Sequence, residues 1–501
     1  MSVSAITFCE SGMAGSQIMV ECHMTNGLPS VIVVGLANKS IDEARERLRS
    51  AFAQSNLDFP KKRITFNLAP ADLPKVGTSY DYAMAAAIMV AANYIPLVAI
   101  AGAGIMGELS LHGDIRPVRG IIGKLLAGRA LGITKFFIAP DNLAQASLVP
   151  GLQLIAATTL KDFYRHATGV ELLPIVVSGS TAHPLPQYQS GLDFSDVAGQ
   201  ARAKRALQIA AAGGHNSLLC GAPGTGKSML AQALPSILPP LQREEMLEAT
   251  HLHSLASRQY DRIITNRPFR SIHHSASTSA ILGGGGLPRP GEISLSHCGV
   301  LFMDELPEFS RNAIECLRQP LEDKTITISR TGGSQVFPAN FMLIATCNPC
   351  PCGYYGTHKA CTCQPGEMAR YQRKLSGPIL DRIDLYVDVD PVKHDQLLNQ
   401  STAESSATIR LRVQAARAAQ LTRYGDPLIT NASLNTQHIK AHLRLDKATK
   451  DFLTKASRQM DLSARAYIRI VKVARTIADL SGETEVTISH ISEALQFRRK
   501  I

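Results

Sequence analysis

The stretch Ser217-Leu-Leu-Cys220, then Gly221, Ala222, Pro223, Gly224, Thr225, Gly226, Lys227 and Ser228, then Met229-Leu-Ala-Gln-Ala-Leu234, leaves this chain few folds to choose from. The apolar run reads as a strand, the glycines as a tight loop and the Ala/Leu-rich run as a helix. Strand, loop and helix in that order make a P-loop, whose backbone N–H groups converge on phosphates at a helix N-terminus. Lys227 supplies a point charge to the β and γ phosphates, and Ser228 offers a hydroxyl to Mg²⁺. The cofactors expected are therefore ATP and Mg²⁺, on an α/β fold.

Later segments turn binding into hydrolysis. Gly299-Val-Leu-Phe-Met-Asp304-Glu305 is an apolar strand ending in two carboxylates. Asp304 is expected in the Mg²⁺ shell, and Glu305 as the group that polarises the attacking water. A third strand, Phe341-Met-Leu-Ile-Ala-Thr346, delivers Asn348, whose amide can orient that water. Arg382, in Leu380-Asp-Arg-Ile-Asp384, and Arg465, in Ser463-Ala-Arg-Ala-Tyr467, have the planar fork suited to a γ-phosphate. Taken singly, each arginine reads rather as half of a surface ion pair.

Of ten cysteines, four form Cys350-Pro-Cys352 and Cys361-Thr-Cys363. Two chelating pairs closed by a short loop are a tetrahedral Zn²⁺ pattern, structural in kind because no coordination position is left open. Cys347 and His358 are spare candidate ligands. Thr325-Ile-Thr-Ile-Ser-Arg330-Thr-Gly-Gly-Ser-Gln-Val-Phe337 alternates as a β-hairpin with Gly332-Gly333 near its tip. The Gly-rich stretch from Ile281 to Pro290, with Arg289, reads as a second loop. Arg330 and Arg289 are the cations these loops carry, and alone the hairpin reads as an ordinary surface hairpin.

The order of these elements resembles the AAA+ ATPases, and within them the Mg-chelatase-like family that includes ComM and YifB. The residues that carry the likeness are Asp196-Val-Ala-Gly-Gln200, the P-loop, His273-His-Ser-Ala-Ser277, Gly283-Gly-Gly-Gly286, Pro290-Gly-Glu-Ile293, Asp304-Glu-Leu-Pro-Glu-Phe309, Asn348-Pro-Cys-Pro-Cys-Gly353, Ser376-Gly-Pro378 and Val473-Ala-Arg-Thr-Ile-Ala478. The resemblance implies a homo-hexameric ring in which Arg382 reaches the neighbour's nucleotide and Arg465 is a second sensor, in its own subunit or the next. It also implies that the hairpin and the Gly-rich loop face a central channel. The Zn²⁺ expectation comes from the spacing alone.

Gly107-Glu-Leu-Ser-Leu-His-Gly113-Asp-Ile-Arg-Pro117-Val, with Pro74-Lys-Val-Gly-Thr-Ser79 before it, resembles the proteolytic domain of Lon. The resemblance implies a Lon-protease-like (ribosomal S5 domain 2-like) α/β fold for the N-terminal part. Ser79 falls at the nucleophile position, but the position of its lysine partner holds Ile122. Lys124 lies two residues on, turned by about 200° on a helix. A serine hydroxyl without its base is a weak nucleophile, so this domain reads as a protease relic.

Four stretches follow: a Lon-like domain over 1–170, a Ser/Gly/Pro/Gln-rich linker over 171–191, an ATPase core over 192–400 and a helical lid over 401–501. The uncharged run Tyr82 to Gly107 is expected to be a buried Ala-rich helix, a turn and a core strand, since Pro96, Asn93 and three glycines interrupt a membrane span. With no basic leader at the N-terminus, the protein is expected in the cytoplasm. Thr402 to Ile501 carries 17 Lys/Arg against 9 Asp/Glu, a surplus of 17 − 9 = +8 within a whole-chain +11. That surplus suggests a basic surface for a polyanion. The expected function is an ATP-driven ring motor on single-stranded, duplex or branched DNA, as the resemblance implies for branch migration in natural transformation, with recombination proteins as further partners. The alternatives are a chelatase-type subunit that remodels a protein partner, and an ATP-dependent protease, which lacks its base.

Overall fold

A computed structural model describes residues 2–35, 43–73, 75, 77–179, 191–257, 259–285, 288–330, 333–374, 377–392, 404–443 and 445–498. Most of the expected linker, Gly286, Gly332 and Ser376 lie outside them, as does the side chain of Arg330. The chain forms two compact units, Met1–Leu185 with Met246–Ile264, and Pro186–Glu245 with Thr265–Ile501. The stretch expected as one continuous core therefore lends a segment to the first unit, and the C-terminal helices belong to the same unit as the rest of that core.

The first unit is built on strands β1 (Ser2–Ser11), β2 (Ala14–Thr25), β3 (Ser30–Val34), β4 (Arg63–Ala69), β5 (Ala103–Ile105), β6 (Lys135–Ile138), β7 (Gln153–Ala156) and β8 (Ile175–Val177). They form one mixed sheet in the order β8-β7-β6-β5-β1-β2-β4-β3. Helix α1 (Asp81–Ala91) buries Tyr82 through Val90 without a break, so the uncharged run is a core helix followed by the core strand β5. That agrees with the sequence, because a helix apolar all round has no solvent face. Helix α2 (Ile121–Ala130) packs on β2, and Gly15 sits so near it that a Cβ would lie 2.7 Å from Lys124 Cα. Helix α4, introduced below, contributes its Met246–Ala256 part here: His251 Nε2 meets the Met13 carbonyl at 3.0 Å, and burial pushes that imidazole down to about 4. No described helix is long and apolar enough to cross a membrane.

The second unit holds a five-stranded parallel sheet of β9 (Ser217–Cys220), β10 (Phe269–Ile272), β11 (Val300–Met303), β14 (Met342–Cys347) and β15 (Leu385–Asp388). The order is β10-β11-β14-β9-β15, so the first strand lies between the fourth and the fifth. Open parallel sheets bind ligands beyond the C-terminal ends of their strands, at such a switch point. Helices α3 (Ala201–Gly213) and α5 (Ser406–Tyr424) cover it, with α4 (Arg243–Ala256) lying between them in the chain. Three longer helices lie toward the C-terminus, α6 (Lys447–Gln459), α7 (Ala464–Ser481) and α8 (Ile488–Gln496). Helix α7 starts where the Ser463 side chain accepts the Ala466 N–H and ends at Gly482 in the left-handed region.

A buried polar chain ties these C-terminal helices to the sheet. His215 meets Asp384 through Nδ1 (3.3 Å) and Thr476 through Nε2 (2.7 Å), and Asn431 donates to both Thr476 (3.0 Å) and Asp479 (2.8 Å). Asp479 also accepts from Arg423 and Arg475. A buried carboxylate shared by two guanidiniums satisfies all three ions. Part of the C-terminal charge is internal: Arg423 and Arg475 are ion-paired inside, Lys472 donates to the Ala432 carbonyl and Arg417 to the Ala211 carbonyl. Lys440, Lys447, Lys450, Lys455 and Arg458 are exposed.

Candidate nucleotide site

The P-loop leaves the C-terminal end of β9 and enters the short helix Lys227–Ala233. Gly226 takes φ 88° at the entry to that helix, a left-handed conformation that costs glycine nothing. The Lys227 ammonium is almost fully buried and donates to the carbonyls of Gly221 and Ala222 (2.8 Å each) and to Asn348 Oδ1 (3.2 Å). Its three protons thus join the loop to the end of β14, and burial lowers its pKa. With Oδ1 accepting, the Asn348 Nδ2 is left to donate outward.

Ser228 Oγ donates to Asp304 Oδ2 (2.9 Å), which places the hydroxyl and the carboxylate expected around Mg²⁺ side by side. Thr346 was not singled out from sequence, where it reads as one more β-former in an apolar strand. Its hydroxyl donates to Asp304 Oδ1 (2.5 Å) and accepts the Glu305 N–H (2.8 Å), so one side chain fixes both acids. Glu305 sits at φ 52°, a left-handed conformation held by that bond, and its carboxylate is exposed at the strand end. Gln200, also left-handed, donates to the carbonyls of Thr225 (3.1 Å) and Asp390 (2.6 Å), which clips the loop to the segment after β15. Gly221 through Ser228, Asp304, Glu305 and Asn348 are therefore brought together.

Arg382 and Arg465 are not part of that group. Arg382 precedes the N-terminal end of β15, which is in register with the N-terminal end of β9 through the pair Ser217–Leu385. The P-loop leaves the opposite end of β9. The four residues between the two ends span about 13 Å at ~3.3 Å per residue. Asn216 holds the arginine segment by donating to the Arg382 carbonyl (2.9 Å), while its Oδ1 accepts the Leu343 N–H (2.9 Å) at the start of β14. The Arg382 guanidinium pairs with Glu322, and Arg465 lies 4.0 Å from Asp381 on an exposed helix start. Arg382 first, and Arg465 with it, lower the Glu322 pKa, so both arginines belong to one charged cluster.

The four predicted thiols also meet. The sulfur of Cys350 is 3.4 Å from that of Cys352 and 3.7 Å from that of Cys361, and Cys352 and Cys361 are 3.5 Å apart. With Cys363 they lie within 4.8 Å of one another, matching the ~3.8 Å edges of a tetrahedron of ~2.3 Å Zn–S bonds. Backbone N–H groups of Tyr354 and Thr362 bring Cys352 down to about 5, the thiolate form a metal requires. Cys347 is not a fifth member. It faces Cys220 across the sheet, and His358 is exposed outside the group.

The hairpin is present as β12 (Thr325–Arg330) paired with β13 (Gly333–Pro338), with Arg330 opposite Gly333. The Gly-rich loop forms a two-residue ladder, Gly283 to Pro290 and Gly284 to Arg289, leaving Arg289 exposed. A Cβ on Gly283, at φ 100°, would lie 2.2 Å from the Arg289 carbonyl and 3.0 Å from Ile328 of β12. Only glycine fits, and the two loops pack against each other. In the first unit Ile122 and Lys124 are both buried, and burial pushes Lys124 down to about 8 beside Glu10 and Cys9. No hydrogen bond joins Lys124 to Ser79 among the described residues.

A parallel 2-3-4-1-5 sheet, a P-loop, paired acids and a polar sensor at adjacent strand ends define an AAA+-type P-loop ATPase that uses ATP and Mg²⁺. The chain belongs to the Mg-chelatase-like family of ComM and YifB. The family described as magnesium chelatase, subunit ChlI, matches residues 193–397, that described as subunit ChlI of Mg-chelatase residues 20–142, and that described as magnesium chelatase, subunit ChlI C-terminal, residues 403–498. Competence protein ComM of Haemophilus influenzae is 42% identical over 496 residues, covering 98% of this chain and 96% of that one. YifB of Escherichia coli is 41% identical over 503 residues, covering 99% and 97%. A Lon protease of Clostridium beijerinckii is 25% identical over 171 residues, covering 32% of this chain and 21% of that protein.

Proposed function

We propose that this chain is a hexameric, ATP-hydrolysing ring motor that moves on DNA in the cytoplasm, with branch migration during natural transformation as its task. The observation that carries the reading is the separation of Arg382 from the P-loop of its own chain by the full height of the sheet. An arginine so placed serves a nucleotide bound by the next subunit, and a closed ring gives every site such a neighbour. Arg465, in the same cluster, serves that same neighbour. Helices α5 to α8 act as the lid over the core. Glu305 takes the proton of the attacking water, Asn348 orients it, and Ser228 and Asp304 hold Mg²⁺.

Support for DNA comes from the exposed Arg289 on the Gly-rich ladder and from the approach of that ladder to the hairpin strand that ends at Arg330. The relative named a competence protein supplies the setting, and recombination proteins are the partners that setting implies. Cys350, Cys352, Cys361 and Cys363 hold a structural Zn²⁺ directly after the sensor. Elemental analysis should find about one Zn²⁺ per chain, lost in the Cys350→Ser/Cys352→Ser variant together with ring assembly. Full activity in metal-free protein would reduce the cluster to packing.

The matches to a chelatase subunit favour a second reading, a remodeller of a protein partner. ATPase rates with and without single-stranded, duplex and four-way-junction DNA separate the two. Stimulation is expected for the motor, weakening steeply with salt because phosphate contacts release counterions. A rate indifferent to every nucleic acid would favour the remodeller.

A further inference from the structure

Cys220 is the last residue of β9 and Cys347 the last of β14, and the two are direct register partners on adjacent parallel strands. Such neighbours have Cα atoms about 4.8 Å apart with side chains on the same face, inside the roughly 4.4–6.8 Å that a disulfide bridges. Both thiols line one open cavity of about 230 Å³, with Asn348, Tyr371, Tyr386 and Arg498 also on its wall. Cys347 is buried and Cys220 half-buried, so a small reagent entering that cavity meets Cys220 first. The next residue after each cysteine belongs to the nucleotide site: Gly221 opens the P-loop and Asn348 accepts from Lys227.

We propose that Cys220 and Cys347 form a reversible disulfide that switches the nucleotide site off under oxidising conditions. The Cys347 thiol beside it, helped by the Lys227 ammonium, lowers the Cys220 pKa, while Cys347 is held protonated. Cys220 is therefore the attacking sulfur. Its thiolate attacks a peroxide oxygen, the O–O bond breaks, and a sulfenic acid forms as hydroxide departs and takes up a proton to become water. The Cys347 sulfur then attacks the Cys220 sulfur. The S–S bond forms, the S–O bond breaks, and the leaving hydroxide takes the Cys347 proton as a second water. Two thiols and one peroxide become one disulfide and two waters. A small dithiol reductant reverses the step by exchange.

Closing the bond locks the two strand ends to each other and reorients the residues that follow them, which shifts the loop carrying Lys227 relative to Asn348. Misplacement of reacting groups by ~1 Å can cost ~100-fold in rate. The functional consequence rests on the ATPase reading, whereas formation of the bond does not. The full-length reduced protein, treated with hydrogen peroxide and digested without reduction, should yield one linked peptide pair containing Cys220 and Cys347, lighter by two hydrogen atoms than the separate peptides. ATPase should fall at least ~10-fold and return with dithiothreitol. Cys220→Ser and, separately, Cys220→Ala should keep their own untreated rates through the same exposure. Zinc release is followed in parallel with a colorimetric chelator, so that damage to the Cys350 cluster is recognised. Absence of the linked pair overturns the proposal, as does a linked protein that hydrolyses ATP as fast as the dithiol form, or equal peroxide sensitivity of wild type and both Cys220 variants. If the reduced protein has no ATPase at all, the linked peptide and its effect on binding of a fluorescent ATP analogue still decide the matter.

Discussion

Glu305→Gln should bind ATP as the wild type does and hydrolyse it at least ~100-fold more slowly, the usual effect of removing a positioned base. The substitution keeps shape and volume at an exposed position. The backbone bond from Glu305 N–H to Thr346 is untouched, so the left-handed turn that presents the side chain survives. Lys227→Ala should behave differently, because the buried ammonium joins the loop carbonyls and Asn348 and is the charge expected to meet the phosphates. That variant should lose nucleotide binding. Binding by equilibrium dialysis and phosphate release in single turnover separate the two defects. Near-normal hydrolysis in Glu305→Gln would remove Glu305 from the chemistry.

Arg382→Ala should abolish hydrolysis while each subunit still binds ATP. Its side chain pairs with Glu322 at the edge of the sheet remote from its own P-loop, so the local binding site is intact. Mixing it with Lys227→Ala then gives a stringent test of action between subunits. An interface is competent when the nucleotide sits in an Arg382→Ala subunit and the arginine comes from a Lys227→Ala subunit. Random equal mixing makes about a quarter of ring interfaces competent, and activity should rise from near zero toward that fraction. Two inactive proteins that stay inactive at every ratio would argue for an arginine acting within its own chain.

The nucleotide site was legible because phosphate binding demands contiguous residues at set spacing on a strand, loop and helix. Gly221 to Ser228, Asp304, Glu305 and Asn348 could be read for that reason, and the structure brings them together. Thr346 and Asn216 could not. Each acts through a hydrogen bond to a residue distant in sequence, and nothing in its own neighbourhood distinguishes it from a strand or cap residue. The transfer of Met246–Ile264 to the first unit escaped for the same reason, since it depends on long-range contacts such as His251 with Met13. The C-terminal charge count carries no depth: Arg423, Lys472 and Arg475 face inward, whereas Lys447, Lys450 and Lys455 are exposed. Alternation did locate the hairpin, and two CxC pairs did locate the thiol cluster, both being local patterns.

The measurement that bears most directly on a motor acting on DNA is migration of a synthetic four-way junction with labelled arms, at low salt, with ATP and Mg²⁺. Wild-type protein should convert the junction to duplex products, and Glu305→Gln should bind the junction without converting it. Wild-type protein that hydrolyses ATP yet neither binds nor moves any DNA structure would contradict the account and leave the protein-remodelling ATPase in its place.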